Sequence, residues 1–333
     1  MAHDADIKAA PRRAVVEDRL DEEAQPGAAL HLARVREQRS LWGNAWRQFR
    51  RHRLAMVGLA VLATLVLVTF VGSTLYGRAI DQPFEYSTSV PPSLDNLFGT
   101  DSLGQDVLAR ILWGGRISIA VGLIAASVAV LVGTSIGALA GFFGGFLDTL
   151  LMRLTDMFIS LPQLPLLLLI SFLFTEKIES FFGEQFGAGN VGIFILIVSV
   201  IGILNWMPTA RLVRASFLAM REKEFVEAAR SIGATRSNLI LRHILPNVLS
   251  PIIVAATLGV GQAIITESTL SFLGLGFPSD VPTWGRMLFE AKDYIQLSPH
   301  EAFIPGIMIF LTVLSINYIG DGLRDALDPR KTQ

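Results

Sequence analysis

The residues with the most distinctive spacing lie in a polar segment, residues 209–247. We expect a helix over residues 215–231, ended by a glycine, and a second short helix over residues 235–246. Small side chains before a bend give a low-relief surface that another backbone can approach closely. Such a surface suits docking into a cleft of another protein, and a solvated helical hairpin that only joins two segments is the alternative. The residues concerned are Glu227, Ala228 and Ala229, with Gly233 at the bend.

Three polar side chains within or beside long apolar segments are the second candidate group: Glu267, Gln262 and Asn205. A carboxylate in hydrocarbon is costly, and its presence by default indicates a functional position. Hydroxyl side chains next to Glu267 favour a structural role instead, in which it bonds a neighbouring helix or caps a break. Both interpretations stay open, so the three residues are candidate pore or gate residues.

Catalytic chemistry is not indicated. The sequence contains no cysteine, which excludes disulfides, thiolate metal sites and a catalytic thiol. The five histidines lack metal-ligand spacing. A phosphate-binding loop needs a lysine directly after a glycine, and none of the five lysines follows a glycine. We therefore expect no catalytic residue, metal or cofactor in this chain, and the net charge of −1 disfavours a nucleic-acid partner.

Membrane-spanning helices are the elements that must position these residues. Of 333 residues, 51% are hydrophobic and only 17% are charged. Six stretches of 19 to 31 residues contain no Asp, Glu, Lys or Arg, and about 20 apolar residues suffice to cross a bilayer. Buried helices of a soluble protein rarely stay uncharged for so long. The fold class predicted is an all-α polytopic membrane protein with six transmembrane helices, at residues 54–77, 117–147, 157–175, 185–210, 243–266 and 302–320.

Two of these spans carry further signals. The second is rich in Gly, Ala and Ser, which lets helix backbones approach closely and predicts a place inside the bundle. The third contains Pro162 and Pro165, which should kink it or loosen its hydrogen bonds.

Charged residues near the spans give local expectations. Asp101 is placed to cap a helical stretch that begins near Leu103. Asp156 and Arg153 have the helical spacing of an ion pair at the start of the third span.

The basic residues predict the orientation. If the N-terminus is cytoplasmic, 22 of the 28 Lys and Arg residues lie on the cytoplasmic side and six on the other. Both termini are therefore expected in the cytoplasm. The first apolar run starts only at Leu54 and five more follow, so we expect a retained span rather than a cleaved signal peptide.

This topology divides the chain into five regions. Residues 1–40 are polar and mixed in charge, and we expect a mobile cytoplasmic tail. In residues 41–77, Trp42, Trp46 and Phe49 share a helical face flanked by arginines, which predicts an interfacial helix before the first span. A plain cytoplasmic extension of that span is the alternative. The remaining regions are an external loop (78–115), a core (116–320, with the polar loop at 209–247) and a cytoplasmic tail (321–333).

Several motifs carry a family resemblance. Glu-Ala-Ala at 227–229, the glycine six residues after the glutamate, and Leu245-Pro246 resemble the EAA loop of permeases in ATP-binding-cassette (ABC) importers. One position departs from that pattern, because His243 stands where the family usually has Ile, although HILPN is common in the peptide branch. Over residues 41–330 the chain resembles the C-type permease of dipeptide and oligopeptide ABC importers, through FGTDSLGQDVLARILWGGRIS (98–118), GFFGGFLDTLLMRLTD (141–156), ESTLSFLGLG (267–276), PTWGRML (282–288) and NYIGDGLRDALDPR (317–330).

The resemblance implies an importer-type ABC permease fold with one extra N-terminal span before a five-helix core, in a bacterial inner membrane. It implies that Glu227, Ala228, Ala229 and Gly233 contact an ATP-binding subunit and that Leu245 and Pro246 shape the exit of the loop into the fifth span. Ala234 and His243 complete the implied ATPase-coupling loop. The implied partners are a second homologous permease in a heterodimer, two ATP-binding subunits that use ATP and Mg, a periplasmic or lipid-anchored solute-binding protein, and membrane lipids. On this interpretation the chain is not an enzyme and forms half of a pore for di- or oligopeptides.

Other functions stay open at this point. The same type of permease could carry nickel, glutathione or antimicrobial peptides. A secondary transporter would need broken helices lined by charges and an internal repeat, and the spans contain few Asp or Glu residues. A membrane scaffold without transport leaves the EAA loop unexplained.

The orientation can be tested with single cysteines, because the natural chain has none. We expect a membrane-impermeant maleimide to label Ser180→Cys in intact cells, since residue 180 lies in a predicted external loop. Thr332→Cys, in the predicted cytoplasmic tail, should be labelled only after permeabilisation. Labelling of Thr332→Cys in intact cells would contradict the orientation.

Overall fold

The computed structural model describes residues 41–328, with side chains from residue 43, and the predicted tails at 1–40 and 329–333 lie outside the described residues. The chain divides into two units, one that ends at Trp46 and one that begins at Arg47. The helices are α1 Leu41–Arg51, α2 Arg53–Tyr76, α3 Val107–Phe143, α4 Gly145–Ser160, α5 Gln163–Phe186, α6 Gly189–Ile203, α7 Met207–Arg221, α8 Glu224–Ser231, α9 Arg236–Phe272, α10 Trp284–Ala291 and α11 Pro299–Leu327.

The predicted fold class is confirmed: in the described chain the regular elements are all helices, without strands, and several are long and apolar enough to span a membrane. By length and composition, α2, α3, α9 and α11 can each cross a membrane. The pairs α4–α5 and α6–α7 are bent by 83° and 44°, and six spans result when each pair forms one broken span.

Proline accounts for the sharper bend, as the sequence indicated. Helix α4 ends at Ser160, and Leu161 is extended (ψ 134°) because it precedes Pro162. Helix α5 then begins at Gln163. The second bend falls at Asn205–Trp206, and Pro208 lies in the first turn of α7, where its missing N–H costs nothing.

Helix α3 lies inside the bundle, as its small residues predict. Gly133 and Gly137 face α7 so closely that a Cβ atom would lie 2.6 Å from the Trp206 carbonyl oxygen and 2.4 Å from the Ala210 carbonyl oxygen. On another face, Gly122 packs against Ile264 of α9. Close backbone approach supplies the packing contacts that hold helices together in lipid.

The first turn of α3 corrects one expectation. Asp106, rather than Asp101, is the N-cap, and its carboxylate accepts a 2.9 Å hydrogen bond from the Ala109 N–H. Asp101 instead accepts hydrogen bonds from the Leu103 and Gln105 N–H groups (2.9 and 2.8 Å), which closes a tight turn before the helix.

The expected Asp156–Arg153 pair is also wrong, because α7 lies against α4 and offers nearer cations. Asp156 pairs with Arg211 at 2.5 Å. One turn away, Arg214 binds both oxygens of Asp148 at 2.5 and 2.7 Å. A planar guanidinium matches a carboxylate in this two-bond geometry. Ion pairs between α7 and α4 therefore form in place of the expected pair within α4.

The helix expected over 215–231 is two helices. Helix α7 ends at Arg221, Lys223 is extended, and α8 begins at Glu224. The break turns Val226 into the core, where it packs in one cluster with Phe217. The short helix expected over 235–246 is instead the start of α9: Thr235 caps it, and it continues into the span through a π-helical turn at Leu239–Ile244.

In α1, Phe49 is buried and packs at Gly322 of α11. This member of the expected interfacial face therefore contacts protein.

A second π-helical turn, Val68–Gly72, lies in α2, and Arg116 of α3 donates to the Thr69 carbonyl at 3.3 Å and to the Phe70 carbonyl.

The α3–α7 contact predicts a marked effect of a single methyl group. Gly137→Ala should force the two backbones apart and destabilise the protein by about 1–3 kcal/mol, the usual range for overpacking. Gly259→Ala in α9 is the matched control, because its Cβ would meet only Ala126 at an ordinary 3.7 Å. Thermal unfolding in detergent measures both, and an unchanged Tm for Gly137→Ala would contradict the close contact.

Candidate coupling surface, membrane cavity and α10 latch

Helix α8 is anchored on one side only. Val226 and Ala229 are buried in a cluster that also contains Phe217 of α7 and Ile244 of α9. Gly233 ends the helix in the left-handed region (φ +88°). The Gly233 and Ala234 N–H groups bond back to the Arg230 and Ala229 carbonyls, both at 3.0 Å. The glycine is required by this reversal, since other residues adopt that φ at a cost.

The opposite side of α8 faces outward and is partly apolar. Glu227, Ala228 and Gly233 are exposed. Ile232 is 88% exposed and Phe225 43% exposed. Exposed apolar side chains beside polar ones are typical of protein-binding surfaces. We call these five residues the coupling surface.

The remaining predicted loop residues, His243, Leu245 and Pro246, lie within the first part of α9, at its π-helical turn and just after it. His243 and Leu245 are half-buried and Pro246 is exposed. Pro246 has no N–H to give to the preceding turn, and the backbone there is the π-helical turn Leu239–Ile244. The Asn247 amide donates to the His243 carbonyl at 2.6 Å. These residues shape the end of the loop rather than the coupling surface.

A half-open cavity of about 500 Å³ lies between α3, α6, α7, α9 and α11. Its walls are mostly small and apolar, and Asn205, Gln262 and Asn317 supply polar groups. Gln262 also lines a second cavity of about 270 Å³ beside α5. Asn205 is held in place, since Gln163 donates to its side-chain oxygen at 3.1 Å and its amide donates to the Ile201 carbonyl at 2.7 Å.

Glu267 is not among the residues that line either cavity. It is fully buried and accepts hydrogen bonds from Ser271 (2.8 Å) and from Thr283 (2.9 Å), which precedes α10. The hydroxyl oxygen of Ser118 in α3 accepts the Trp284 N–H at 3.2 Å. The Glu267–Thr283 and Ser118–Trp284 contacts thus tie α10 to α9 and α3, and we call these four residues the α10 latch.

An ionic network lies beside the latch. Arg110 of α3 is 1% exposed, donates to Glu290 of α10 at 2.7 Å and lies 3.3 Å from Asp101. Burial raises the pKa of the Asp101 carboxyl, against the opposing effect of Arg110. Arg286 also donates to Glu290, at 2.9 Å. The Arg110–Glu290 pair was not predicted, because partners 180 positions apart leave no local spacing signal. Arg286 and Glu290 do have the i,i+4 spacing of an ion pair within one helix.

Two family models match the chain. The binding-protein-dependent transport system inner membrane component matches residues 133–333, which include α8 and, after α3, the cavity helices and the latch residues. The chain belongs to this family. The N-terminal TM domain of oligopeptide transport permease C matches residues 40–97, which contain α1 and α2. The two matches together agree with a permease core preceded by an additional N-terminal span.

Curated members of the same family align over most of the chain. It is 37% identical over 291 residues to the dipeptide transport system permease protein DppC of Alkalihalophilus pseudofirmus, covering 87% of this chain and 90% of the relative. It is 36% identical to the glutathione transport system permease protein GsiD of Pectobacterium atrosepticum (91% and 96% covered). The GsiD protein of Escherichia coli O6:K15:H31 is 38% identical (91% and 95% covered).

Removing one hydroxyl group from the latch should cause a local loss of structure. Thr283→Val deletes a donor to buried Glu267 and the cap of the Arg286 N–H. We expect the free energy of unfolding to fall by about 1–3 kcal/mol. Trypsin should also cleave faster at Arg286 and Lys292. Thr269→Val is the control, because that hydroxyl bonds only within its own helix, to the Ile265 carbonyl. Equal cleavage of the two variants would refute the latch.

Proposed function

We propose that this chain is the transmembrane permease subunit of an ABC importer for di- and oligopeptides. The observation that carries the proposal is the coupling surface, a partly apolar face on a short helix that the core anchors on one side only. The match to the binding-protein-dependent transport family supports it. The substrate class is supported by the names of relatives, which are dipeptide and glutathione permeases.

The coupling surface is proposed to contact an ATP-binding subunit, and ATP with Mg is used there and not by this chain. The sequence lacks a phosphate-binding loop of its own. ATP binding can drive transport only if the ATP-binding subunits contact two permease conformations differently. Ile232 and Ala228 are suited to such a contact, because one is almost fully exposed and the other allows close approach.

The larger cavity is proposed to be half of the translocation pore. A second homologous permease, in a heterodimer, would close its open side. Gln262 and Asn205 would then face the solute, and their amides can both donate and accept hydrogen bonds, as peptide groups require. The residues that line this cavity in the described chain include no Asp, Glu, Lys or Arg, which favours ATP coupling over an ion-driven secondary transporter.

The topology proposed has both termini in the cytoplasm and the latch outside. A periplasmic or lipid-anchored solute-binding protein would deliver peptide on the latch side. The five regions proposed from the sequence follow the same order, with residues 209–247 as the coupling loop. Glutathione is the second candidate substrate, favoured by two of the relatives described above.

Gly233→Ala tests the coupling surface. A Cβ atom there meets open space, so only the left-handed backbone opposes it, at a cost of about 1–2 kcal/mol. We expect less co-purification of the ATP-binding subunits and reduced uptake of radiolabelled dialanine, with unlabelled glutathione as the competitor that separates the two substrates.

The matched control is Gly187→Ala at the end of α5, where φ is +64° and the space is also open. It imposes the same kind of backbone strain on the other side of the membrane. Normal assembly and uptake with Gly233→Ala, or an equal loss with Gly187→Ala, would overturn the proposed coupling role.

A further inference from the structure

Two arginines flank the coupling surface and both contact the cytoplasmic end of α3. Arg221 is the last residue of α7, and its Nη1 atom donates to the Phe142 carbonyl at 3.2 Å. Arg236 is the first residue of α9, and its guanidinium lies 5.9 Å from the ring centre of Phe143. The segment that carries α8 is therefore attached to two adjacent residues of α3, to Phe142 at its start and to Phe143 at its end.

Arg221 is also attached to the break that precedes α8. Its Nε and Nη2 atoms lie 3.1 and 3.0 Å from one carboxylate oxygen of Glu222. One guanidinium thus joins the first residue of the break to a carbonyl in the last turn of α3. That carbonyl lies at the negative end of the helix dipole, where a cation is favoured.

The contacted end of α3 is a corner with unusual backbone freedom. Gly144 (φ +66°, ψ −160°) and Gly145 (φ +58°) both lie in the positive-φ region and connect α3 to α4. A Cβ atom at Gly144 would lie 3.2 Å from Nη1 of Arg221. Adjacent glycines allow the corner to change its backbone angles at little cost, so a pull on α3 does not have to move α4 with it.

Helix α3 connects this corner to the cavity. Phe142 packs in the cluster that also holds Phe217 and Val226, and Ala129 lines the cavity. Phe142 and Ala129 are about 20 Å apart along α3, at about 1.5 Å per residue. A displacement at Phe142 is thus carried to the cavity wall by a rigid element.

We propose that Arg221 and Arg236 form an arginine clamp through which movement of α8 is transmitted to α3, with Arg221 as its main positioning residue. The inference rests on the proposed docking of an ATP-binding subunit on the coupling surface. It adds a defined mechanical link between that surface and the cavity. The guanidinium is needed for its fork, because one planar group must reach Glu222 and the Phe142 carbonyl together.

The test uses the complete transporter in proteoliposomes, with Arg221→Ala and Arg221→Lys. A third variant, Phe143→Leu, removes the ring that Arg236 contacts. Three quantities are measured: co-purification of the ATP-binding subunits, ATP hydrolysis, and dialanine uptake per ATP hydrolysed. With Arg221→Ala we expect assembly and ATP hydrolysis to persist while uptake per ATP falls about fivefold or more, the lower limit of typical coupling between sites. Arg221→Lys, which keeps the charge without the fork, should give an intermediate value.

A readout of conformation separates transmission from mere stability. Leu258→Cys places the chain's single thiol in the cavity wall, in a transporter whose other subunits lack cysteine. Trapping with ATP and vanadate should change its maleimide labelling rate when Arg221 is present and should change it little in Arg221→Ala. Arg153→Ala, which removes an exposed arginine from α4, is the matched control and should retain the change.

The outcomes distinguish the inference from the proposed function. If the unaltered transporter neither binds ATP-binding subunits nor takes up dialanine, the proposed function fails. If it does both and Arg221→Ala retains full uptake per ATP and the full labelling change, the clamp alone is refuted. Should Arg221→Ala not assemble, the Arg221→Lys and Phe143→Leu variants decide, and unchanged coupling in both refutes the clamp.

Discussion

Close contact between α3 and its neighbours is the interaction on which the rest of the structure depends. In lipid, apolar side chains have no hydrophobic reason to associate with each other, so helices must gain by packing closely. At Gly133 and Gly137 the backbone of α3 meets that of α7 with no room for a methyl group. The same helix supplies a cavity wall, the Ser118 partner of the latch and the carbonyl that Arg221 contacts. Moving α3 away from α7 would disturb all three.

Charge is the second constraint, and the fold meets it by pairing across helices. The buried Arg110 has its partners on α10 and in the loop between α2 and α3, and Arg214 has its partner on α4. Glu267 has no cation within its group and is surrounded by hydroxyl donors instead. Each arrangement ties together helices that are distant in sequence. A buried charged group left without such partners would destabilise the protein strongly, so these groups also specify which helices must meet.

Features that depend on a single segment of the chain could be predicted from the sequence, and features that depend on contacts between distant helices could not. Uncharged stretches reveal the spans, Pro162 reveals the bend before α5, and Gly233 reveals the end of α8, because each acts on its own segment of backbone. The cap of α3 was assigned to Asp101 when Asp106 holds it, since two aspartates five residues apart fit the same local rule. The partner of Asp156 and the break after Arg221 depend on how α7 meets α4 and the core. No spacing within one helix contains that information.

The exposure of Ile232 has a consequence for how the protein is produced in a cell. Ile232 directly follows α8 and is 88% exposed, and Phe225 of α8 is 43% exposed. Under the proposed topology, a copy of the chain without its partner presents these apolar side chains to the cytoplasm. A subunit that covers these side chains stabilises the folded chain in proportion to its own concentration. Copies made in excess of that subunit keep these apolar side chains exposed, and they are therefore prone to aggregation and proteolysis. The abundance of the permease in the membrane would then follow the supply of its partner rather than its own rate of synthesis.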